Sequence, residues 1–177
     1  GGGIAIVFSW YLGITIMFMF KLMELKLYLA FLSGILLAVT SLLDDIFSLK
    51  PSLRLIIQLI TAILAVFFLS GNSMDIFPGF GITGSVFVLP IIIVGIVWFI
   101  NLYNFMDGID AYSSLETIFI LIGMYFLIRD HLLLVLIFPV VGFLYWNWPK
   151  AKIFMGDVGS TQLGFIIVIL GIYYHNI

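Results

Sequence analysis

Tyr112-Ser-Ser-Leu-Glu-Thr-Ile-Phe-Ile-Leu-Ile-Gly-Met-Tyr-Phe-Leu-Ile128 is followed by Arg129-Asp130-His131, and then by Leu132-Leu-Leu-Val-Leu-Ile-Phe-Pro-Val-Val-Gly-Phe-Leu-Tyr-Trp-Asn-Trp148. Two long apolar runs are separated by one tight polar turn. Neither run alternates apolar with polar residues, which argues against membrane strands and for helices. Lipid satisfies no backbone polar group, so an apolar run of this length spans as a helix that bonds to itself. The short turn folds the two runs into a helical hairpin.

The same reading extends outward to about 4–20, 27–43, 55–70, 86–103 and 161–175, giving seven apolar runs in all. Each run is roughly 15–18 residues long, slightly under the ~20 needed to span, and flanking residues extend most of them. Of the 177 residues, 64% are hydrophobic and only 9% charged, with a mean hydropathy of +1.30. Soluble domains carry roughly 25% charged residues. The expected fold is therefore an all-α polytopic membrane bundle of about seven transmembrane helices. The absence of cysteine excludes a disulfide scaffold and a thiolate metal site. Gly1-Gly2-Gly3 leads into an apolar run with no basic segment, which is not a signal peptide. The chain reads as a single transmembrane catalytic domain, residues 1–177, cut from a longer protein at both ends.

Alternation assigns sides. Lys21 to Lys26, the stretch Gly71 to Ser85 (read as a surface loop because of Pro78 and glycines 71, 79, 81 and 84), Arg129-Asp130 and the end of the chain share one face. The other face receives the N-terminus and the loops after the second, fourth and sixth runs. Five of the nine acidic residues fall there, as Asp44-Asp45, Asp107 with Asp110, and Asp157. Lysines and arginines divide too evenly to orient the bundle. Carboxylates at a membrane boundary are costly, so gathering most of them on one face needs a cause.

Each group alone has an ordinary explanation. Asp44 and Asp45 close a helix whose C-terminal dipole disfavours them by roughly 0.3–1 kcal/mol each, unless Lys50, Arg54 or a metal compensates. Asp107 and Asp110 share a helical face if a helix begins there, and Asp107 is a plausible N-cap. Capping does not account for Asn101 and Asn104 beside them. In Gly156-Asp157-Val-Gly159-Ser160, Ser160 is a candidate N-cap, while the glycines and the following helix N-terminus suit a phosphate. Glu116 is expected to be buried and receives no role. Taken together, oxygen ligands with no cysteine and no nearby histidine suit a hard cation, Mg2+ or Mn2+, held by one or two carboxylates plus substrate phosphates. Lys50, Arg54, Lys150 and Lys152 are placed to take the remaining phosphate charge.

Asp44-Asp45-Ile-Phe-Ser-Leu-Lys50-Pro-Ser-Leu-Arg54, Asn104-Phe-Met-Asp107-Gly-Ile-Asp110 and Phe154-Met-Gly-Asp157-Val-Gly-Ser160 resemble, in order and spacing, the motifs of the polyprenyl-phosphate N-acetylhexosamine-1-phosphate transferases. These are relatives of the phospho-N-acetylmuramoyl-pentapeptide transferases. The middle motif and the stretch around Asn147 look most like enzymes that initiate O-antigen and similar surface glycans in the bacterial inner membrane. The resemblance implies transfer of a sugar-1-phosphate from a UDP-sugar to undecaprenyl phosphate, with release of UMP, on the cytoplasmic face. It implies Mg2+ on Asp157, and catalytic roles for Asp44, or Asp45, and for Asp107. Asn104 would join the diphosphate shell, Asp110, Asn147 and Phe154 would hold the uridine, and Lys50 and Arg54 would contact phosphate. It is compatible with a homodimer and gives no nucleic-acid partner. Family members carry glycine where this chain has Ala111, and further helices and a histidine motif beyond the equivalent of Ile177. The rival readings are a cation-coupled transporter, which expects acids at the bilayer midplane, and an inactive piece of such a transferase.

Overall fold

The computed structural model describes residues 1–70 and 81–175, with side chains in the second segment from Phe87 onward. Every regular element among these residues is a helix. The helices are α1 (Gly3–Met19), α2 (Leu25–Ser33), α3 (Ile35–Phe47), α4 (Pro51–Ser70), α5 (Gly81–Met106), α6 (Tyr112–Ile128), α7 (Leu132–Asn147) and α8 (Gly156–His175). Helices α2 and α3 abut at Gly34 and form one apolar stretch, Leu25–Phe47. That stretch, α4, Phe87–Met106 of α5, and α8 are long and apolar enough to cross a membrane. The shorter apolar helices α1, α6 and α7 complete the seven segments read from sequence.

Helix α8 is the axis of the bundle. Every residue from Val158 to Ile167 is buried, and the helix packs against α5, α3, α1, α6 and α2. Where the surrounding solvent is lipid, close packing replaces the hydrophobic drive between helices, so small residues mark the contacts. A Cβ on Gly159 would lie 2.7 Å from the Gly3 Cα of α1. A Cβ on Gly164 would lie 2.8 Å from the Tyr103 Cβ and 3.1 Å from the Ile100 Cα of α5. Helices α8 and α1 both bond to the break at Gly34. Gln162 Nε2 donates to the Gly34 carbonyl, and Tyr11 Oη donates to the Phe31 carbonyl at 3.0 Å. Both carbonyls also accept from backbone N–H groups, of Leu37 and Ala38 at Gly34 and of Gly34 at Phe31, so the side chains add a further donor to each and pin the break to its neighbours.

The two ends of the bundle are distinct. At one end, Gly2 and Gly3 N–H groups donate to the carbonyls of Phe154 and Met155. At the other, Tyr174 Oη donates to Asp130 Oδ2 at 2.7 Å, and Lys26 lies over the Tyr173 ring. The sidedness read from alternation is the sidedness of the structure.

Three boundaries differ from expectation. Helix α5 already begins at Gly81, so the end of the anticipated glycine loop is helical, while 71–80 lie outside the described residues. Asp107 and Asp110 are not on a helical first turn. They occupy the turn between α5 and α6, held there by bonds from the Ala151 N–H of the 148–155 segment and the Gly156 N–H that opens α8. Ser160 is not an N-cap, because α8 starts at Gly156, whose φ of +72° glycine adopts without strain. Ser160 is instead buried in the second turn. Glu116 is half-buried, with Oε2 lacking a hydrogen-bond partner among the described residues.

Substituting Gly164→Ala is expected to cost about 1–3 kcal/mol, the usual range for overpacking, because backbone of α5 blocks the new methyl. Gly171 has nothing within 4 Å of a Cβ, so Gly171→Ala is expected to be neutral. Thermal unfolding in detergent, comparing both variants with wild type, measures the contrast.

Candidate active site

Pro51 opens α4, a position that suits proline because its missing N–H would have no helical partner there. This puts Arg54 in the first turn, facing the end of α3. Arg54 Nη1 lies 2.7 Å from Asp44 Oδ2 and 3.5 Å from Asp157 Oδ2. The second oxygen of Asp44 accepts from the Leu49 N–H at 2.7 Å. Asp44 therefore ends α3 with two donors offsetting the unfavourable dipole, and Asp157 begins α8 where the dipole favours a carboxylate. One guanidinium joins α3, α4 and α8.

Asp107 lies close by. Its Oδ1 accepts from Ser113 Oγ at 2.9 Å and its Oδ2 from the Gly156 N–H at 3.1 Å. Burial pushes its carboxyl above the usual range, those two bonds offset part of the rise, and the negative charge of Asp157 adds to it. Asn104, on α5, donates from Nδ2 to Ser160 Oγ at 3.0 Å. Two carboxylates thus share one guanidinium, with Asp107 held nearby at the start of α8, an acceptor-rich arrangement that fits a hard cation. Among the described residues no three His, Cys, Asp or Glu side chains form a ligand cluster. Any such cation would therefore rely on one or two protein carboxylates, as Mg2+ commonly does.

Arg54, Asn104 and Asp157 border a cavity of about 150 Å³ between α3, α4, α5 and α8. Its polar lining has two levels. Arg54, Asn104 and Asp157 form the outer one, near the end of the bundle. Ser41, Gln58, Asn101 and Thr161 lie about one helical turn further in. Ser41 and Thr161 hydroxyls are 3.3 Å apart, and Gln58 and Asn101 exchange amide hydrogen bonds.

The other anticipated residues lie beside this cavity. Asp110 Oδ2 accepts from the Ala151 N–H at 3.1 Å. Asn147, only 3% exposed, spends both ends of its amide: Oδ1 accepts from Ala111 N and Nδ2 donates to the Ile153 carbonyl. It ties the 107–111 turn to the 148–155 segment. Phe154, Asp45 and Lys50 are exposed. Lys152 lies over the Trp146 ring. The sequence reading overlooked Gln58, Ser41 and Thr161. Gln58 alone gave a usable signal, an amide four residues past Arg54 in an otherwise apolar run.

Residues 27–175 match the model of glycosyl transferase family 4. The chain belongs to that family. Among curated members, it is 35% identical over 153 residues to the "Probable undecaprenyl-phosphate N-acetylglucosaminyl 1-phosphate transferase" of Bacillus subtilis, covering 78% of this chain and 42% of that protein. It is 34% identical over 142 residues to the undecaprenyl-phosphate alpha-N-acetylglucosaminyl 1-phosphate transferase of Thermotoga maritima, covering 76% and 41%. It is 31% identical over 134 residues to the phospho-N-acetylmuramoyl-pentapeptide-transferase of Streptococcus thermophilus, covering 70% and 39%. This family 4 chain thus spans about two fifths of the length of the curated relatives it matches. No solved structure gives a significant match.

Two predictions follow from the 107–111 turn. Ala111 has φ +64°, a left-handed conformation that costs a non-glycine residue about 1–2 kcal/mol. Part of that is regained on Ala111→Gly, whose unfolded chain is more flexible. A small rise in melting temperature is expected, and a fall would contradict the strain. Asp107, with a raised folded pKa, contributes stability below its unfolded pKa and loses it as pH rises through the folded value. Melting of wild type relative to Asp107→Asn should therefore decline as pH rises from the ordinary aspartate range. A flat difference would remove the basis for this linkage.

Proposed function

We propose that the chain is the catalytic core of an enzyme that transfers a sugar-1-phosphate, of N-acetylhexosamine type, from a UDP-sugar to undecaprenyl phosphate. UMP is released, and a lipid-linked surface glycan is begun. The observation that carries this reading is the single guanidinium of Arg54 bridging Asp44 and Asp157, at a cavity open to the ends of four apolar helices. The names of the relatives support it. A phosphoryl-transfer site at a membrane boundary suits a reaction between a soluble nucleotide sugar and a lipid phosphate. In this reading the acid-bearing end is cytoplasmic and the membrane is the bacterial inner membrane.

An oxygen of the lipid phosphate attacks the sugar-bearing phosphorus of the UDP-sugar, and the bond from that phosphorus to the bridging oxygen breaks as UMP leaves. Such reactions need in-line positioning and charge stabilisation more than covalent chemistry. Asp44, with Asp45 beside it, takes the acceptor's proton. Arg54 holds phosphate charge, with Lys50 at the rim. Asp157, Asn104 and Asp107 are the residues that would hold Mg2+. When bound, Mg2+ supplies charge neutralisation to the diphosphate. Asp110 and Phe154 border the nucleoside end, and Asn147 sets the loops that carry them.

Asp157→Asn is expected to lower UMP release by at least 100-fold in membranes offered undecaprenyl phosphate, Mg2+ and a panel of UDP-sugars. The same panel identifies the sugar. Near-normal release by the variant at saturating substrate and Mg2+ would contradict the role of Asp157. Robust cation uptake into proteoliposomes without any UMP release would sink the transferase reading.

A further inference from the structure

The inner level of the cavity holds an amide pair whose orientation is fixed by the backbone. Asn101 Nδ2 donates to the Val97 carbonyl at 2.7 Å and to Gln58 Oε1 at 2.7 Å, spending both of its hydrogens. Asn101 Oδ1 accepts from Gln58 Nε2 at 3.3 Å. Turning the Asn101 amide over would set oxygen against the Val97 carbonyl, and turning Gln58 over would set like atoms against each other twice. Both amides are therefore locked.

The lock leaves one Gln58 Nε2 hydrogen without a partner among the described residues. Gln58 is 8% exposed and lines the cavity with Arg54 and Asp157. It follows Arg54 by one turn on the same face of α4, so the donors form a ladder, a guanidinium outside and an amide N–H within. A buried donor in a membrane helix is costly unless an acceptor arrives to take it. Because the neighbouring donor is a guanidinium, the complementary ligand is an anion with several oxygens, which two stacked donors can hold.

We infer that Gln58 donates a hydrogen bond to a phosphoryl oxygen of a substrate seated inward of Arg54, and that Asn101 is the positioning residue that aims it. This rests on the transferase reading for the identity of the ligand, and the two sources of such an oxygen are the lipid phosphate and the UDP-sugar. The test is direct binding to the purified chain in detergent micelles, by calorimetry, with farnesyl phosphate and a UDP-sugar as separate probes. KM and kcat for each substrate are measured alongside.

Gln58→Glu keeps the shape and turns the donor into an acceptor, and is expected to weaken one probe at least tenfold. Gln58→Met keeps most of the volume and the membrane compatibility, and is expected to weaken the same probe severalfold. It stands in should the carboxylate disturb folding. Asn101→Ala is expected to raise KM for that substrate with kcat within twofold, a split that simple loss of fold does not give. Weakening confined to farnesyl phosphate assigns the oxygen to the acceptor, and weakening confined to the UDP-sugar assigns it to the diphosphate; either supports the inference. Wild-type affinity for both probes in Gln58→Met, or a lowered melting temperature with unchanged affinity, overturns it. Binding is read without turnover, so a chain that loses farnesyl phosphate on Gln58→Met yet releases no UMP would refute the transferase reading alone.

Discussion

Arg54 holds together the end of α3 and the start of α8 by reaching a carboxylate on each. The contact reconciles a local conflict. Asp44 closes a helix where negative charge is unfavourable, and Asp157 opens one where it is favourable, yet the two acids come close enough to share a cation. Without the guanidinium they would repel across the mouth of the cavity. The cavity, the position of Asn104 and the approach of the 107–111 turn all depend on α3, α4 and α8 meeting at this point. The pair distances differ, 2.7 Å against 3.5 Å, so Arg54 belongs more to Asp44 and leaves Asp157 freer to engage another positive partner.

Much of this was legible in the sequence. The seven apolar segments, the tight turn at Arg129-Asp130-His131 and the gathering of five acids at one end follow from hydropathy and counting. That Lys50 or Arg54 would compensate Asp44 followed from the dipole argument, and the structure assigns the task to Arg54. The break at Gly34 was not legible, because an apolar run reads the same whether its backbone is continuous or interrupted. The conformation of the Asp107–Asp110 turn was hidden for a different reason. It is set by hydrogen bonds from Gly156 and Ala151, residues more than forty positions away, and local spacing carries no record of them. The loop bonds of Asn147, from the Ala111 N–H and to the Ile153 carbonyl, were hidden for the same reason.

The helical scaffold and the site share one device. In a bundle surrounded by lipid, a polar group is acceptable only where the protein itself answers it. Gln162 bonds the Gly34 carbonyl and Tyr11 the Phe31 carbonyl, Asn147 answers two loops, and Thr117 answers Tyr103. The cavity is where this accounting is left open, at Gln58 and at the surplus of carboxylates. Trp10 Nε1, Ser114 Oγ and Glu116 Oε2 are also buried without a partner among the described residues, so an open bond marks a functional group only where it faces the cavity, as at Gln58.

The two-level lining of the cavity also sets a limit on penetration. The outer level carries formal charge and the inner level only hydroxyls and amides, so an ionised headgroup moving inward leaves its counter-charge behind within about one helical pitch, ~5.4 Å. Below the amides the walls are Leu37 and its apolar neighbours, where an ion has neither water nor a paired charge. This lining has the form of a depth stop. In the proposed reading, the head of a charged amphiphile entering from the membrane boundary halts at one level, so that its height above the bilayer centre is fixed by the protein and not by the fluctuating lipid around it.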